Sequence, residues 1–330
     1  MVKSYLSERT FAVRVGEVTS STQTIGAGVP QGSVLGPHLF NIFINDIIDA
    51  ALEDSRLMRL EPPDSVESLG TALYADDITL WKAAKDVEII QERLQRALDD
   101  VHEWICRWRL RVNTKKTVYT IIENSAKKSK LNVSYASVPP EHEASPRFLG
   151  VNLDRRLNLN TQVNNIVAAC KNHLNLLRRL AGKSWGLSTR LLIHTYQSLI
   201  RSRVDYFPFV SLQVSPRIAN KLQIIQNKAY RISTRWPPGQ TYASMYAKYK
   251  AEPVAARHKR LAEKFIERAT RGSETVRDLI EHYTVHQATS TAFGQSMRKS
   301  ASPSSAKSLQ MPSHDTRPIQ FYFIMYFRYG

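Results

Sequence analysis

Two adjacent aspartates, Asp76 and Asp77, follow Tyr74-Ala75 and lie between two apolar runs, residues 71–73 and 78–80. Burying neighbouring carboxylates costs much free energy unless a cation or hydrogen-bond donors compensate them. Because successive side chains of a strand point to opposite faces, the two carboxylates can converge only at a tight turn. The sequence therefore predicts a hairpin whose tip holds a divalent metal ion. A solvated turn, where Asp is also favoured, is the alternative.

A second feature lies upstream, where residues 28–37 contain three glycines and two prolines. This composition predicts a loop, and the apolar residues 39–52 that follow predict a buried helix. Gly32 would let another backbone approach closely, and a helix start favours a phosphate group. The alternative is an ordinary loop ahead of a helix.

The remaining sequence predicts strands first and helices afterwards. A strand pair is expected within residues 11–18, with Gly16 near its turn. A long helix is expected after Asp86 and a strand over residues 118–122. From Thr161 onward the apolar spacing predicts a series of helices, over about 161–180, 188–203, 216–235, 242–250 and 254–271.

Positive charge is concentrated in the second half of the chain. The sequence has 46 basic and 29 acidic residues, a net charge of +17. Residues 155–272 contain 22 Lys or Arg but only Asp205, Glu252, Glu263 and Glu267, so this segment accounts for the whole excess. A polyanionic partner is expected, because each phosphate contact releases counterions. Solvated helix faces are the alternative.

The chain has two cysteines, Cys106 and Cys170, and neither has metal-ligand spacing. We interpret both as reduced core thiols of an intracellular protein, in the nucleus or the cytoplasm. The first residues lack the apolar run of a signal peptide, and no segment is long enough to cross a bilayer. No membrane partner is expected.

Several motifs occur in one order along the chain, namely Gly28-Val29-Pro30-Gln31-Gly32-Ser33, Tyr74-Ala75-Asp76-Asp77, Asn113-Thr114-Lys115-Lys116-Thr117 and Phe148-Leu149-Gly150. Together they resemble the reverse transcriptases of jockey-like non-LTR retrotransposons. The resemblance implies an α+β fold, a partial right-hand polymerase with an incomplete palm followed by an α-helical thumb. The implied domains are a partial palm over residues 1–155 and a basic helical thumb over 156–272. A disordered tail over 273–330 is expected from composition, which shifts to Ser, Thr, Gln and Pro beyond Val285.

The resemblance also implies a reaction, RNA-directed DNA polymerisation by two-metal nucleotidyl transfer. Asp76 and Asp77 would bind two Mg²⁺ or Mn²⁺ ions, and Lys116 would donate a proton to the departing pyrophosphate. The implied partners are an RNA template, a DNA primer and dNTPs, with the RNA/DNA duplex along the basic thumb. The implied substrate- and template-binding residues are Tyr74, Pro30, Gln31, Gly32, Phe148, Leu149 and Gly150.

The family has another catalytic Asp on an earlier palm strand, and no candidate for it precedes the glycine-rich loop. Ser4-Tyr5-Leu6 and Arg9 already match the segment that follows that strand. We therefore expect an incomplete copy that lacks the fingers and the first catalytic strand. The alternatives are a nucleic-acid-binding remnant without chemistry and, less closely, an unrelated basic RNA-binding protein whose Asp pair is a turn.

Overall fold

The computed structural model describes residues 2–51, 69–84, 86–123, 129–182, 185–273 and 277, together with the backbone of 321–328. Strands and helices are both present, as the α+β prediction requires. The chain divides into two compact units. The first comprises Met1–Ile121, Ser125–Glu143 and Ile319–Gly330, and the second comprises Ile122–Asn124 and Ala144–Pro318. This division falls ahead of residue 155, where the sequence had suggested a boundary.

The first unit begins with a short helix and two small hairpins. Its elements up to the sheet are α1 (Val2–Leu6), β1 (Thr10–Phe11), β2 (Arg14–Val15), β3 (Val18–Thr19), β4 (Gln23–Thr24), α2 (Gly36–Ile44) and α3 (Ile47–Ala51). The predicted strand pair is confirmed, since β2 pairs with β3 around Gly16, whose φ is +61°. Glycine suits that turn because it adopts positive φ without steric cost.

The prediction of one buried helix over residues 39–52 was wrong in two respects. The helix starts earlier, with Pro37 in its first turn, and a turn at residues 45–46 divides it into α2 and α3. Ile44 is fully buried, whereas Ile42 is 74% exposed. Because only one face of α2 packs on the core, its continuous apolar sequence does not imply burial all round.

The remaining elements of the first unit are β5 (Leu69–Tyr74), β6 (Asp77–Ala84), α4 (Val87–Arg107), a 3₁₀ turn (Thr114–Lys116), β7 (Val118–Ile122) and β8 (Glu141–His142). The predicted long helix and strand are confirmed in α4 and β7. One face of α4 covers the sheet through fully buried apolar side chains such as Ile90, Leu94 and Val101. This packing gives β6 a rigid support.

Cys106 is not a core thiol, contrary to the prediction, whereas Cys170 is buried. Cys106 lies in the last turn of α4, where Trp104 and Ile105 are the side chains directed into the core. Its sulfur lies 3.6 Å from Nε2 of His102, one helical turn earlier. Residues four apart share a helix face, so Cys106 and His102 occupy a different face from the core stripe.

The second unit is largely helical. Its elements are β9 (Arg147–Phe148), β10 (Val151–Asn152), α5 (Asn160–Leu180), α6 (Thr189–Tyr196), a π-helical segment (Gln197–Arg201), α7 (Ser202–Val204), α8 (Val210–Gln213), α9 (Pro216–Thr234), α10 (Tyr242–Tyr249) and α11 (Val254–Gly272). The predicted helix starts are confirmed at Ser188, whose Oγ accepts a hydrogen bond from the Leu191 amide, and at Pro216 in the first turn of α9. No helix in the described ranges is long and apolar enough to cross a membrane.

The expected disordered tail, residues 273–330, lies mostly outside the described residues. Part of the expectation was wrong, because Phe321–Arg328 forms a strand, β11. This strand pairs antiparallel with β6, from Phe321 opposite Ala84 to Arg328 opposite Asp77. The sheet order is β5-β6-β11-β7-β8. Aromatic and β-branched residues favour strands, which accounts for this segment joining a sheet.

Candidate active site and nucleic-acid-binding surface

The two aspartates lie at the tip of the β5-β6 hairpin, as predicted. Tyr74 pairs with Asp77 across the hairpin, so residues 75–76 form its two-residue turn. Ala75 has a φ of +52°, the left-handed conformation that lets so short a loop reverse the chain. Asp76 is exposed at the turn, and Asp77 opens β6 and is partly buried. Both carboxylates thus lie at the tip of the hairpin rather than in a strand interior.

The donor chemistry at this tip fits Mg²⁺ or Mn²⁺, which prefer carboxylate oxygens and retain several waters. Within the described ranges, however, no group of three or more His, Cys, Asp or Glu side chains converges on a metal position. Two neighbouring carboxylates suffice for one such ion whose remaining ligands are water and phosphate oxygens. A pair of ions needs more oxygen ligands than these two side chains provide.

The glycine-rich segment is a loop joined to the start of α2 by hydrogen bonds. Oγ of Ser33 donates to the Pro30 carbonyl at 2.8 Å and accepts from the Gly36 amide at 3.0 Å. Gly32 has a φ of +79°, which favours glycine there. Gln31 is exposed on this loop. The backbone is therefore fixed while the Gln31 side chain remains accessible to a ligand.

Two further candidates of the first unit are exposed. Lys116 ends the 3₁₀ turn before β7, and its backbone amide donates to the Asn113 carbonyl at 3.0 Å. Its side chain is accessible, as is that of Tyr74, which is 64% exposed beside the hairpin tip. An exposed tyrosine of this kind has an apolar face available for stacking.

Phe148-Leu149-Gly150 forms a tight turn in the second unit. Phe148 pairs with Val151, and the two turn residues have positive φ, +43° for Leu149 and +86° for Gly150. The Tyr206 hydroxyl donates to the Leu149 carbonyl at 2.7 Å. A Cβ added at Gly150 would lie 3.1 Å from the Tyr206 ring, a tight contact, so both the contact and the positive φ favour glycine. Tyr206 therefore holds this turn in place.

A basic groove runs between α5 and α9, with a volume of about 410 Å³. Lys171 and Arg178 line it from α5, and Lys221 and Lys228 line it from α9. Each pair is seven residues apart, two helical turns or about 10 Å, so its members share one helix face. Apolar side chains such as Leu174 and Ile225 form the floor. Such a groove suits the sugar-phosphate backbone of a nucleic acid.

The second unit also contains a buried ion-pair network that the sequence interpretation missed. Arg257 is 2% exposed, and its guanidinium donates to both carboxylate oxygens of Asp205 at 2.8–2.9 Å. Arg201 donates to Asp205 Oδ2 at 3.1 Å, and Nε2 of the fully buried His258 lies 3.4 Å from Oδ1. Burial alone would raise the pKa of Asp205. The contacts with His258, Arg257 and Arg201 outweigh burial and hold that pKa at about 2.

Two further contacts complete this network around Arg257. The guanidinium also donates to the Gln226 side-chain oxygen at 2.8 Å, and that oxygen accepts from the Tyr196 hydroxyl at 3.0 Å. Burial raises the pKa of Tyr196, so the phenol remains a hydrogen-bond donor. The network joins α6, α9 and α11 and has a structural role. A sequence signal existed, because Asp205 is one of only four acids among 22 basic residues.

Comparison with known proteins identifies relatives over most of the chain. Residues 1–153 match the family model described as reverse transcriptase (RNA-dependent DNA polymerase). The chain is 28% identical over 268 residues to the RNA-directed DNA polymerase from mobile element jockey of Drosophila melanogaster, covering 81% of this chain and 28% of that protein. It is 28% identical over 240 residues to the probable RNA-directed DNA polymerase from transposon BS of the same species, covering 72% and 25%.

A third relative is the probable RNA-directed DNA polymerase from transposon X-element of Drosophila melanogaster, 26% identical over 243 residues. That alignment covers 71% of this chain and 24% of the relative. The chain thus spans about a quarter of the length of the relatives it matches. No solved structure gives a significant match.

Proposed function

We propose that this chain acts as part of an RNA-directed DNA polymerase of a jockey-like non-LTR retrotransposon, because residues 1–153 match the reverse transcriptase family model and the relatives found are polymerases of such elements. Its reaction is nucleotidyl transfer, in which a primer 3′-hydroxyl attacks the α-phosphate of a dNTP. The observation that carries the proposal is the carboxylate pair at a two-residue hairpin tip, within the segment that matches the family.

Asp76 and Asp77 are the residues that would hold the divalent metal. When bound, Mg²⁺ or Mn²⁺ would act as a Lewis acid that stabilises the negative charge of the reacting phosphate. The exposed Asp76 carries its charge in water and is accessible to triphosphate-bound ions. Asp77 is the first residue of β6, and α4 packs against this strand and supports it.

The accessible side chains of the other motifs in the first unit suit substrate positioning. Gln31, on a backbone fixed by Pro30, Gly32 and Ser33, would contact the template strand beside the incoming nucleotide. Tyr74 would pack against the primer terminus. Lys116, exposed at the end of the 3₁₀ turn, would donate a proton to the departing pyrophosphate, a general-acid role worth about 10²–10⁴ in rate.

Nucleic-acid binding by the second unit follows from its basic groove. Lys171, Arg178, Lys221 and Lys228 would contact phosphates of the RNA/DNA duplex without reading sequence. The Phe148-Leu149-Gly150 turn, held by Tyr206, would present its backbone to the primer. The groove also supports the second candidate function, a nucleic-acid-binding protein without chemistry. Only an activity measurement separates the two.

Primer extension on an RNA template, with Mg²⁺ or Mn²⁺, tests the proposal. We expect Asp76→Asn to abolish extension, because a metal ligand is lost, while affinity for the duplex is unchanged or slightly higher. Asp86→Asn is the matched control. Asp86 is also an exposed aspartate of the first unit, and its side chain makes no capping hydrogen bond to α4.

Each outcome of this experiment has a definite meaning. Extension that persists in Asp76→Asn would refute the metal-site assignment, and so would a loss of duplex affinity in that variant alone. A wild-type chain that binds duplex but extends no primer with either ion would establish the nucleic-acid-binding function instead.

A further inference from the structure

A second cavity, distinct from the basic groove, opens beside the Leu149–Gly150 turn in the second unit. Its volume is about 710 Å³, within the range of small-molecule sites, roughly 300–1,000 Å³. Three elements form its walls, the β9-β10 hairpin, one face of α5, and the segment from the π-helix to Tyr206. A space of this volume suits a single nucleotide.

The charged groups that line this cavity are basic. Arg147 lines it from the hairpin and Arg203 from α7, and neither has an ion-pair partner among the described residues. His173, on α5, has its Nδ1 2.9 Å from the Ala169 carbonyl. Since a carbonyl only accepts, Nδ1 is the donor here, and Nε2 of the neutral ring is left as an acceptor. The two guanidinium groups suit a phosphate.

An ordered row of side-chain amides forms part of the same wall. Nδ2 of Asn165 donates to Oδ1 of Asn152 at 3.0 Å. Oε1 of Gln162 accepts from the backbone N–H of Asn152 at 3.0 Å. These bonds fix the amide orientations and leave Oδ1 of Asn165 and Nε2 of Gln162 without a hydrogen-bond partner in the described chain. Gln162 is only 5% exposed and lines the cavity. An oriented acceptor and donor of this kind suit the polar edge of a base.

Backbone features on the opposite wall support a binding role. The π-helical segment Gln197–Arg201 supplies Ser198 and Leu199 to the cavity and leads directly to Arg203. π-Helical turns are rare and are frequent at functional sites. Tyr206 is 63% exposed while its hydroxyl is held by the Leu149 carbonyl, so its ring is a fixed aromatic surface. Bases stack on such surfaces irrespective of sequence.

We propose that this cavity binds one unpaired nucleotide of a nucleic-acid strand. Arg147 and Arg203 contact its phosphate, and the amides of Gln162 and Asn165 contact the base edge. An unpaired nucleotide is required, because the edge of a base is available to side chains when it is displaced from the stack. This inference rests on the proposed function, since it takes the strand to be that of the bound RNA/DNA hybrid.

Binding of three fluorescent RNA/DNA hybrids to the purified chain tests this inference. The first hybrid is blunt, the second has one unpaired nucleotide at an end, and the third has the same overhang without its base. We expect about tenfold tighter binding of the second hybrid, and little gain for the abasic one. Arg203→Gln and Asn165→Ala, both at exposed positions, should remove the preference while binding the blunt hybrid as before.

Arg178→Gln is the matched control, because it removes the same charge from the basic groove rather than from the cavity. This variant should weaken binding of all three hybrids alike. Equal binding of the three hybrids by the wild-type chain would overturn the inference and leave the proposed function intact, since duplex binding persists. Binding of none of them would refute the proposed function and the inference together.

Discussion

The Asp205→Asn substitution should destabilise the second unit and leave the residues proposed for nucleotidyl transfer unchanged. Removing one partner of a buried ion pair costs about 3–5 kcal/mol, because the other charge remains buried. Arg257 retains hydrogen bonds to Gln226 Oε1 and to the Glu252 carbonyl, so we expect the low end, about 3 kcal/mol. The loss should appear as faster amide exchange in α11, which carries Arg257.

The pH dependence of this loss provides an independent check. The pKa of Asp205 lies at about 2 in the folded chain, below its ordinary value of 3.8. A depressed carboxyl pKa stabilises the fold above the unfolded-state value and loses that contribution as the pH falls through the folded value. The difference corresponds to about 2 kcal/mol at neutral pH, of which roughly half is lost at pH 3. The Asp205→Asn variant has no such contribution to lose.

The assay is hydrogen exchange measured by mass spectrometry over residues 254–272 in increasing urea, at neutral pH and at pH 3. Opening free energies from such data refer to this unit alone, which avoids assuming that the two units unfold together. Glu267→Gln is the control, because its ion pair with Arg271 is exposed and should contribute less than about 1 kcal/mol. A stability difference between wild type and Asp205→Asn that is equal at both pH values would refute this reasoning.

Two further predictions concern backbone features. Gly150→Ala should lower the unfolding free energy by about 1–2 kcal/mol, since alanine is strained at a φ of +86° and its methyl group would press on Tyr206. The control, Gly26→Ala, should be neutral, because Gly26 has an ordinary φ and a Cβ there would meet no atom within 4 Å. A neutral Gly150→Ala would contradict the turn geometry. Deleting residues 321–328 should accelerate amide exchange in β6 but not in α11, because β6 loses its strand partner on one side. Unchanged exchange in β6 would contradict the pairing.

The hairpin with its aspartates could be predicted because its determinants are local. Two apolar runs separated by a polar pair define strands, turn and register within a few residues. The glycine-rich loop, helix α4 and the cap at Ser188 were predictable for the same reason. The predicted burial of α2 was wrong, because a run of apolar residues does not show which side of the helix packs on the core.

The buried network could not be predicted, because its members come from separate helices. Asp205 and Arg257 are 52 residues apart, and Gln226 lies on a third element. A partial signal is visible in α11, where the buried positions Val254, His258, Ala262 and Ile266 recur every four residues. A buried histidine on such a stripe needs a hydrogen-bond partner, but the spacing of the buried positions does not identify that partner.

Strand β11 illustrates the same limit at greater separation. Its aromatic and β-branched residues predict a strand as such, yet its partner β6 lies far earlier in the sequence. The sequence interpretation treated this segment as part of a disordered tail because the composition beyond Val285 shifts to Ser, Thr, Gln and Pro. Pairing across such distances depends on which sheet edges remain open, a property of the fold rather than of the segment.

The acidic and basic side chains of the second unit serve different purposes. Of its few acids, Asp205 pairs with Arg201 and Arg257, Glu252 with Arg260 and Glu267 with Arg271. Apart from His258 beside Asp205, these partners are arginines, whose planar guanidinium suits bidentate carboxylate pairing.

The lysines of the basic groove, Lys171, Lys221 and Lys228, form no ion pair among the described residues. The paired arginines thus stabilise the helical unit internally, while the charges of Lys171, Lys221, Lys228 and Arg178 stay available at the groove. Lysine suits phosphate binding because its compact ammonium group, at the end of a flexible side chain, can contact phosphates in several geometries. A binding surface of this composition should hold a nucleic-acid backbone irrespective of the nucleotide sequence. The proposed function requires such sequence-independent binding.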